Sequence, residues 1–230
     1  MKIKLKLPRI AFLFDVDNTL LDNDSIIKEL REYMTACLGV DQNKRYWEIF
    51  ENYRAEMGYA DYLGTLQRYR RERPHDPQLT AIALFLLNYP FKERLFDGAL
   101  AVLHHVRKWG TAAILTDGDV VFQPLKIERS GIGKAVLGRV LIYVHKEQEM
   151  QDVVVRCPAD HYEFVDDKIR LLSAIKEILG DRVTTVFPKQ GHYAFADDVG
   201  TYPKPDYTID RIDELLQLTD GIVRAIHDID

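Results

Sequence analysis

Short, mostly apolar runs recur along the chain and alternate with segments of helical periodicity. The runs cover residues 10–14, 111–115, 140–144, 162–165 and 183–187. Runs of this length and composition are typical of strands that are buried on both faces of a parallel sheet. Amphipathic patterns at 99–108 and 168–179 lie between them, and Gly180 follows the second pattern as a C-cap. This alternation predicts an α/β fold with a Rossmann-like parallel sheet.

One region breaks the alternation of strand and helix patterns. Residues 24–88 contain helical patterns and no convincing strand. Breaks in these patterns fall near Gly39, Gly58 and Pro74. The sequence therefore predicts an all-α cap domain at residues 22–89, inserted after the first strand. The α/β core domain would comprise residues 1–21 together with residues 90–230.

Composition and charge restrict the partners and the location of the protein. The chain has 31 basic and 36 acidic side chains and a formal net charge of -5. This charge offers no attraction to nucleic acid or to an anionic membrane, so we expect neither partner. Residues 1–8 include three lysines, but the apolar run that follows ends at Asp15. A secretory signal needs roughly 7–15 apolar residues, and the two cysteines form no disulfide framework, so we expect a cytoplasmic protein.

Polar side chains follow four of the predicted strands at their carboxyl ends. Asp15 and Asp17 follow the first strand two residues apart, and an extended backbone would point both side chains the same way. The other three strand ends carry Thr116, Asp117, Gly118 and Asp119, then His145 and Lys146, and then Asp166 and Asp167. Ligands of doubly wound sheets bind at this edge, so we expect these groups to meet in one site.

The residue types at this edge suit phosphoryl transfer. A phosphate monoester is a dianion and repels a carboxylate nucleophile, so the site needs a divalent cation and a lysine to compensate. Mg²⁺ prefers hard oxygen ligands, which acidic side chains from two strand ends supply. A hydroxyl such as that of Thr116 can hold a phosphoryl oxygen without adding charge. A second carboxylate can protonate the leaving group and then activate water.

The ordered motifs resemble those of the haloacid dehalogenase-like (HAD) superfamily, in which phosphatases dominate. Residues 15–19 (DVDNT) match its first motif, and residues 113–116 (AILT) match its second. Lys146 falls where the lysine of the third motif is expected, and residues 164–167 (FVDD) resemble the two-aspartate fourth motif. The insertion at 22–89 resembles the helical cap of the family. The resemblance covers the whole chain and implies a Mg²⁺-dependent phosphohydrolase that forms an aspartyl-phosphate on a small phosphorylated metabolite.

The resemblance also implies roles for individual residues. Asp15 would be the nucleophile, and Asp17 would be the general acid and then the general base. Thr116 and Lys146 would complete the catalytic set. The substrate-binding set would comprise Thr116, Asp117, Gly118 and Lys146. The magnesium-binding set would comprise Asp15, Asp17 through its backbone carbonyl, Asp166 and Asp167.

Three lysines compete for the position of the third motif. Lys146 follows a predicted strand, whereas Lys126 lies in a helical stretch that we expect it only to decorate. Lys134 is the third candidate. We therefore expect that Lys146→Ala cripples turnover and that Lys126→Ala has a small effect. The neighbouring His145 is as readily a loop residue as a substrate contact.

Two groups of side chains in the predicted cap have both a functional and a structural interpretation. The basic group comprises Arg68, Arg70, Arg71 and Arg73. It either reaches over the site to an anionic substrate or forms a solvated helix face, and we favour the solvated face. The aromatic group comprises Tyr46, Trp47, Phe50 and Tyr53. Its helical spacing favours a place in the cap core over a substrate platform.

The local sequence of the pair Asp166-Asp167 recurs at Asp197-Asp198. An amphipathic helical pattern follows the first pair. A glycine and two prolines follow the second pair and favour an irregular loop. We therefore assign metal binding to the first pair. The segment 190–193 is expected near the cleft, without a ligand role.

Other functions of the same fold give rival interpretations. A dehalogenase of this superfamily needs no metal and does not keep the second aspartate, so Asp17 argues against that branch. A phosphomutase or phosphotransferase uses the same motifs, with a sugar hydroxyl in place of water. A catalytically silent binding module is a third alternative, although decay of that kind usually removes the nucleophile or the acid first.

Overall fold

A computed structural model describes residues 10–228, and its strands form one parallel sheet. The strands are β1 (Ile10–Phe14), β2 (Thr111–Asp117), β3 (Val140–Tyr143), β4 (His161–Val165), β5 (Val183–Pro188) and β6 (Tyr207–Ile209). Their order across the sheet is β3-β2-β1-β4-β5-β6. The chain runs outward from β1 through β2 to β3 and then returns to β4 on the other side of β1. The carboxyl ends of β1 and β4 therefore border the crevice where such sheets bind ligands.

Helices separate the strands and also form the long insertion after β1. The helices are α1 (Asn23–Leu38), α2 (Val40–Met57), α3 (Tyr62–Glu72), α4 (Leu79–Asn88), α5 (Ala99–Val106), α6 (Phe122–Ser130), α7 (Ile132–Ala135), α8 (Met150–Arg156), α9 (Ile169–Leu179) and α10 (Leu215–Asp228). The predicted Rossmann-like α/β fold is confirmed. The helices α1 to α4 lie between β1 and β2, as the pattern at 24–88 predicts. The division into two domains stays a prediction.

The sheet is covered on both faces, which explains the unbroken apolar runs. Phe12 and Phe14 of β1 belong to a hydrophobic cluster with side chains of α5 and α10, and this cluster continues into the helical insertion. Ala11 and Leu13 belong to a second cluster with side chains of α8 and α9. All five residues of β1 are buried. Each large apolar side chain buried in this way contributes about 1.5–3 kcal/mol.

The structure differs from the sequence predictions at the end of β2 and at an additional edge strand. The strand β2 extends to Asp117, so Thr116 and Asp117 lie inside the strand and not in the loop after it. The three-residue strand β6 pairs with β5 and was missed, because so short a segment shows no period. Within the described residues, no helix is both long enough and apolar enough to cross a membrane. The expectation about an export signal in residues 1–8 lies outside the described part of the chain.

Candidate active site

The central strand β1 ends at Asp15 and fixes its backbone. The Asp15 N–H donates to the Val165 carbonyl oxygen at 3.0 Å, which extends the pairing of β1 with β4 by one residue. The Asp15 side chain is buried, whereas that of Asp17 is 27% exposed. The backbone then turns at Asn18, whose φ of 59° lies in the left-handed region that asparagine tolerates. The Asn18 Oδ1 accepts the backbone N–H of Asn23 at 3.0 Å, which ties this turn to the start of α1.

Lys146 brings positive charge to the end of β1. It follows β3, and its Nζ lies 2.6 Å from Asp15 Oδ1 and 2.6 Å from Asp166 Oδ2. The side chain is 0% exposed. The Lys146 backbone N–H donates to Asp117 Oδ1 at 2.7 Å, so the end of β2 holds the loop that carries the lysine. Of the three candidate lysines, Lys146 is the one in contact with Asp15.

Three buried carboxylates meet beside Lys146. Oxygens of Asp15, Asp166 and Asp167 lie within 4.8 Å of one another. Asp15 Oδ2 and both carboxylate oxygens of Asp167 lack a hydrogen-bond partner. Buried charges without partners are costly, and the charges of Lys146 and the nearby Lys168 do not fully neutralise three carboxylates. This set of hard oxygen donors fits a divalent cation of the Mg²⁺ type.

The environment shifts the pKa values of these groups in opposite directions. Burial raises the pKa of Asp166 to about 6, even though Lys146 lies beside it. Burial also raises the pKa of Asp167 well above its usual value, and the negative charges of Asp166 and Asp15 add to this effect. Burial opposes the ionisation of Asp15 too, but the positive charges of Lys146 and Lys168 outweigh it and lower the pKa of Asp15. Asp15 is therefore the most readily ionised carboxylate of the three, as a nucleophile must be.

Helix α6 presents a second lysine to Asp17. Lys126 is 2% exposed, and its Nζ donates to Asp17 Oδ1 at 2.6 Å and to Asn23 Oδ1 at 3.1 Å. The interpretation that Lys126 only decorates its helix is therefore wrong. The helix begins after Asp119, whose Oδ1 accepts the backbone N–H of Phe122 at 2.6 Å, as expected for a carboxylate at a helix start.

The predicted substrate-binding residues lie together, but Asp117 and Gly118 already form hydrogen bonds with backbone groups of the neighbouring strand β3 and the loop after it. Thr116 is buried, and its Oγ1 accepts from Gln123 Nε2 at 3.0 Å. Asp117 binds the backbone of Lys146, and the Gly118 N–H donates to the Tyr143 carbonyl oxygen at 3.0 Å. The roles of Thr116, Asp117, Gly118 and Lys146 toward a substrate stay predictions. Ligation of a metal by the backbone carbonyl of Asp17 also stays a prediction.

A cleft of about 900 Å³ lies between the helical insertion and the carboxyl edge of the sheet. Asp17, Gly118 and Lys126 line it from the core side, and α1 and α2 line the opposite side. Lys168, which the sequence analysis missed, also lines it, next in sequence to the carboxylate pair. Asp15, Lys146 and the pair Asp166-Asp167 are buried and do not form part of this lining.

The segment 190–193 joins the core to the helical insertion beside this cleft, which confirms its expected location. Tyr193 OH accepts from Arg54 Nη2 of α2 at 2.8 Å. His192 Nδ1 lies 2.6 Å from Asp24 Oδ1 of α1. Gly191 has a φ of 69°, and a Cβ at this position would collide with the Asn18 side chain. The segment therefore packs against the turn that follows Asp17.

The arginine group, the aromatic group and the pair Asp197-Asp198 have mostly structural or solvent-exposed positions. Arg68 pairs with Glu56 at 2.7 Å, and none of the four arginines of the basic group (Arg68, Arg70, Arg71 and Arg73) lines the cleft, whereas Arg31 and Arg54 of the insertion do. Trp47 and Phe50 are buried in the hydrophobic cluster of the insertion, as predicted, but they also line the cleft. Asp197 and Asp198 are exposed, whereas Asp166 and Asp167 are buried, so the structure separates the two pairs.

Comparison with solved structures identifies the family of this fold and site. A haloacid dehalogenase-like hydrolase from Burkholderia xenovorans LB400 has 52% sequence identity and a TM-score of 0.87, over 92% of this chain and 97% of that chain. The chain therefore belongs to the haloacid dehalogenase-like hydrolases. No family model and no curated protein matches it.

Two more distant structures share the fold. The HAD-hydrolase YfnB from Bacillus subtilis, bound to magnesium, has 17% identity and a TM-score of 0.60, over 94% of this chain and all of that chain. An L-2-haloacid dehalogenase from Xanthobacter autotrophicus, with chloropropionic acid covalently bound, has 17% identity and a TM-score of 0.57, over 92% of this chain and 98% of that chain.

Proposed function

We propose that this hydrolase is a Mg²⁺-dependent phosphatase that acts on a small phosphorylated metabolite through an aspartyl-phosphate at Asp15. The observation that carries the proposal is the buried cluster of Asp15, Asp166 and Asp167 with its unpartnered oxygens. Such a cluster would repel an anionic substrate unless a cation were bound, and a cation-bound cluster suits a phosphate ester. Magnesium in the distant relative YfnB agrees with this choice.

In the proposed reaction, a carboxylate oxygen of Asp15 attacks phosphorus. A bond forms between that oxygen and phosphorus, and the bond to the leaving oxygen breaks with its electron pair on the leaving group. Asp17 donates a proton to that oxygen and later takes one from the water that hydrolyses the acyl phosphate. Lys146 stays beside Asp15 and offsets the charge of the transferred group.

Asp15, Asp166 and Asp167 would hold the metal ion, with the backbone carbonyl of Asp17 as a fourth protein ligand. Bound there, Mg²⁺ would neutralise charge on the carboxylates and on the phosphoryl oxygens. The oxygen-only donor set and the low exposure of the three carboxylates support this assignment. The hydroxyl of Thr116 would bind a phosphoryl oxygen from the side of β2.

Dehalogenation is the principal rival, because one distant relative is an L-2-haloacid dehalogenase. Expulsion of a halide requires no divalent cation, and three clustered carboxylates without one would repel the carboxylate of a 2-haloacid. Asp17, two residues after the nucleophile in the motif, also supports phosphoryl transfer. Transfer to a sugar hydroxyl is the second rival, and phosphate release in the absence of any acceptor alcohol distinguishes hydrolysis from it.

The test is release of phosphate from p-nitrophenyl phosphate by the purified protein, with and without Mg²⁺. We expect metal-dependent turnover by the wild type and none by Asp15→Asn, which removes the nucleophile and nearly preserves its shape. Asp197→Asn is the matched control and should behave as wild type. Activity on 2-chloropropionate without activity on any of a panel of phosphate esters would refute the proposal, and so would near-normal activity of Asp15→Asn.

A further inference from the structure

We propose that Lys126 is a positioning residue that holds the carboxylate of Asp17 in the orientation required for proton transfer to the leaving group. This inference rests on the proposed function, because it assigns Asp17 the task of general acid. Lys126 lies outside the four sequence motifs. In the described part of the chain its ammonium group bonds to Asp17 and Asn23, and not to Asp15 or to the pair Asp166-Asp167.

The contacts of Lys126 carry the inference. Its ammonium group is removed from solvent and donates to Asp17 Oδ1 at 2.6 Å and to Asn23 Oδ1 at 3.1 Å. Asp17, by contrast, is partly exposed and lines the cleft. A buried ammonium without partners is costly, so the position of the lysine is set by these two oxygens. The carboxylate of Asp17 is in turn set by the lysine.

This arrangement distinguishes the two oxygens of Asp17. Lys126 occupies Oδ1, while the nearest donor to Oδ2 is Gln123 Nε2 at 3.5 Å, the outer limit of a hydrogen bond. Oδ2 therefore remains available to carry the proton that moves to the leaving oxygen. Without the lysine, the exposed carboxylate would rotate about its side-chain bonds and spend less time in the productive orientation.

The partner Asn23 extends this support to the helical insertion. Asn23 is the first residue of α1, and its backbone N–H also donates to the side chain of Asn18. Lys126 of the core thus contacts the acid and the start of the insertion at the same time. The turn between Asp17 and α1 is held from both ends.

The test uses the different demands that two esters make on the acid. Expulsion of an alkoxide from n-butyl phosphate requires protonation, whereas the p-nitrophenolate ion leaves without it. We expect Lys126→Met to lower kcat/KM for n-butyl phosphate about 10- to 100-fold and to lower that for p-nitrophenyl phosphate less than about 3-fold. Lys134→Met, at an exposed position on α7, is the matched control and should change neither value.

A double-mutant cycle separates positioning from a general structural effect. Asp17→Asn alone should lose activity on n-butyl phosphate, and adding Lys126→Met should then lower kcat/KM less than about 2-fold further, because the lysine acts through Asp17. Full additivity of the two losses would overturn the inference. Equal losses on the two esters in Lys126→Met would overturn it too.

The experiment stays decisive if the variant does not fold or if the wild type is inactive. If Lys126→Met does not fold, Lys126→Gln carries the same comparison, because a neutral polar side chain retains hydrogen-bonding capacity but cannot form the ion pair with Asp17. Equal losses on both esters again refute the inference. A wild type that hydrolyses neither these two esters nor any of the panel of phosphate esters overturns the proposed function and this inference together. A wild type that hydrolyses both, with no ester-dependent loss in the variants, overturns this inference alone.

Discussion

The Nζ of Lys146 donates to Asp15 Oδ1 at 2.6 Å, and both side chains are buried. Asp166 lies at the same distance from the ammonium group. Lys146 is therefore the counter-charge in direct contact with the carboxylate cluster, while Lys168 acts on it without such a contact. Removal of Lys146 has consequences for stability as well as for catalysis.

We expect Lys146→Met to lower kcat by about 10²–10³-fold, the loss typical of one fixed electrostatic partner. It should also lower the free energy of unfolding by about 3–5 kcal/mol, because the variant leaves buried carboxylates without compensation. Mg²⁺ should recover part of this loss. Steady-state kinetics and thermal unfolding with and without Mg²⁺ measure both effects.

Lys134→Met is again the control and should match the wild type. If Lys126→Met lost more activity than Lys146→Met on p-nitrophenyl phosphate, the third motif would have been assigned to the wrong lysine.

A metal titration tests the choice between the two aspartate pairs. Asp166→Asn and Asp167→Asn should each raise the Mg²⁺ concentration needed for half-maximal activity by at least about 10-fold, a loss seen even when outer partners of a metal site are removed. Asp197→Asn and Asp198→Asn should leave it within about 2-fold of wild type, because these side chains are exposed and lie outside the carboxylate cluster. The opposite pattern would move the metal to the second pair.

Glu163 predicts a pH dependence of stability that is independent of catalysis. It lies within β4, opposite Phe12 and Thr184 of the neighbouring strands, and is 0% exposed. Neither carboxylate oxygen has a hydrogen-bond partner, and burial raises the pKa of Glu163 to about 8. The folded protein therefore keeps this proton after the unfolded chain has lost it. The resulting stability is complete at low pH and is lost as the pH rises through about 8.

We expect Glu163→Gln to remove this contribution. Between about pH 5 and pH 8 the wild type should lose a few kcal/mol of unfolding free energy more than the variant does. Chemical denaturation at several pH values measures the difference. Parallel pH profiles of the two proteins would show that Glu163 does not hold its proton in the folded state.

The apolar runs were sufficient to predict five strands, because the sheet is covered on both faces and large apolar residues dominate each run. β6 was not predicted because it has only three residues, of which Thr208 is exposed, and because it follows two prolines. Glu163 lies within the predicted run 162–165, but its apolar neighbours in sequence do not indicate that its carboxylate is buried without a hydrogen-bond partner. The fold and the residues that follow the strands were therefore easier to predict than the short edge strand and the burial of single side chains within the sheet.

In the candidate site, too, some residues could be predicted from the sequence and others could not. Asp15, Lys146, Asp166 and Asp167 stand directly after or close to strands, so the sheet brings them together. Lys126 stands on a helix, and a helical pattern does not indicate which distant residue its buried face meets. Asp17 is 109 residues away in sequence. Only the packing of α6 against the end of β1 reveals that contact.

The central place of β1 has a consequence for how the chain acquires its structure. β1 pairs with β2 through Ala11 and Thr111 and with β4 through Ile10 and His161. These partners are made about 100 and 150 residues later during synthesis. A strand with the sequence IAFLF must therefore wait, exposed and unpaired, while the helices of the insertion emerge from the ribosome. Closing such long loops is slow, and in the interval the segment that will carry the nucleophile is a site for misassociation and for chaperone binding.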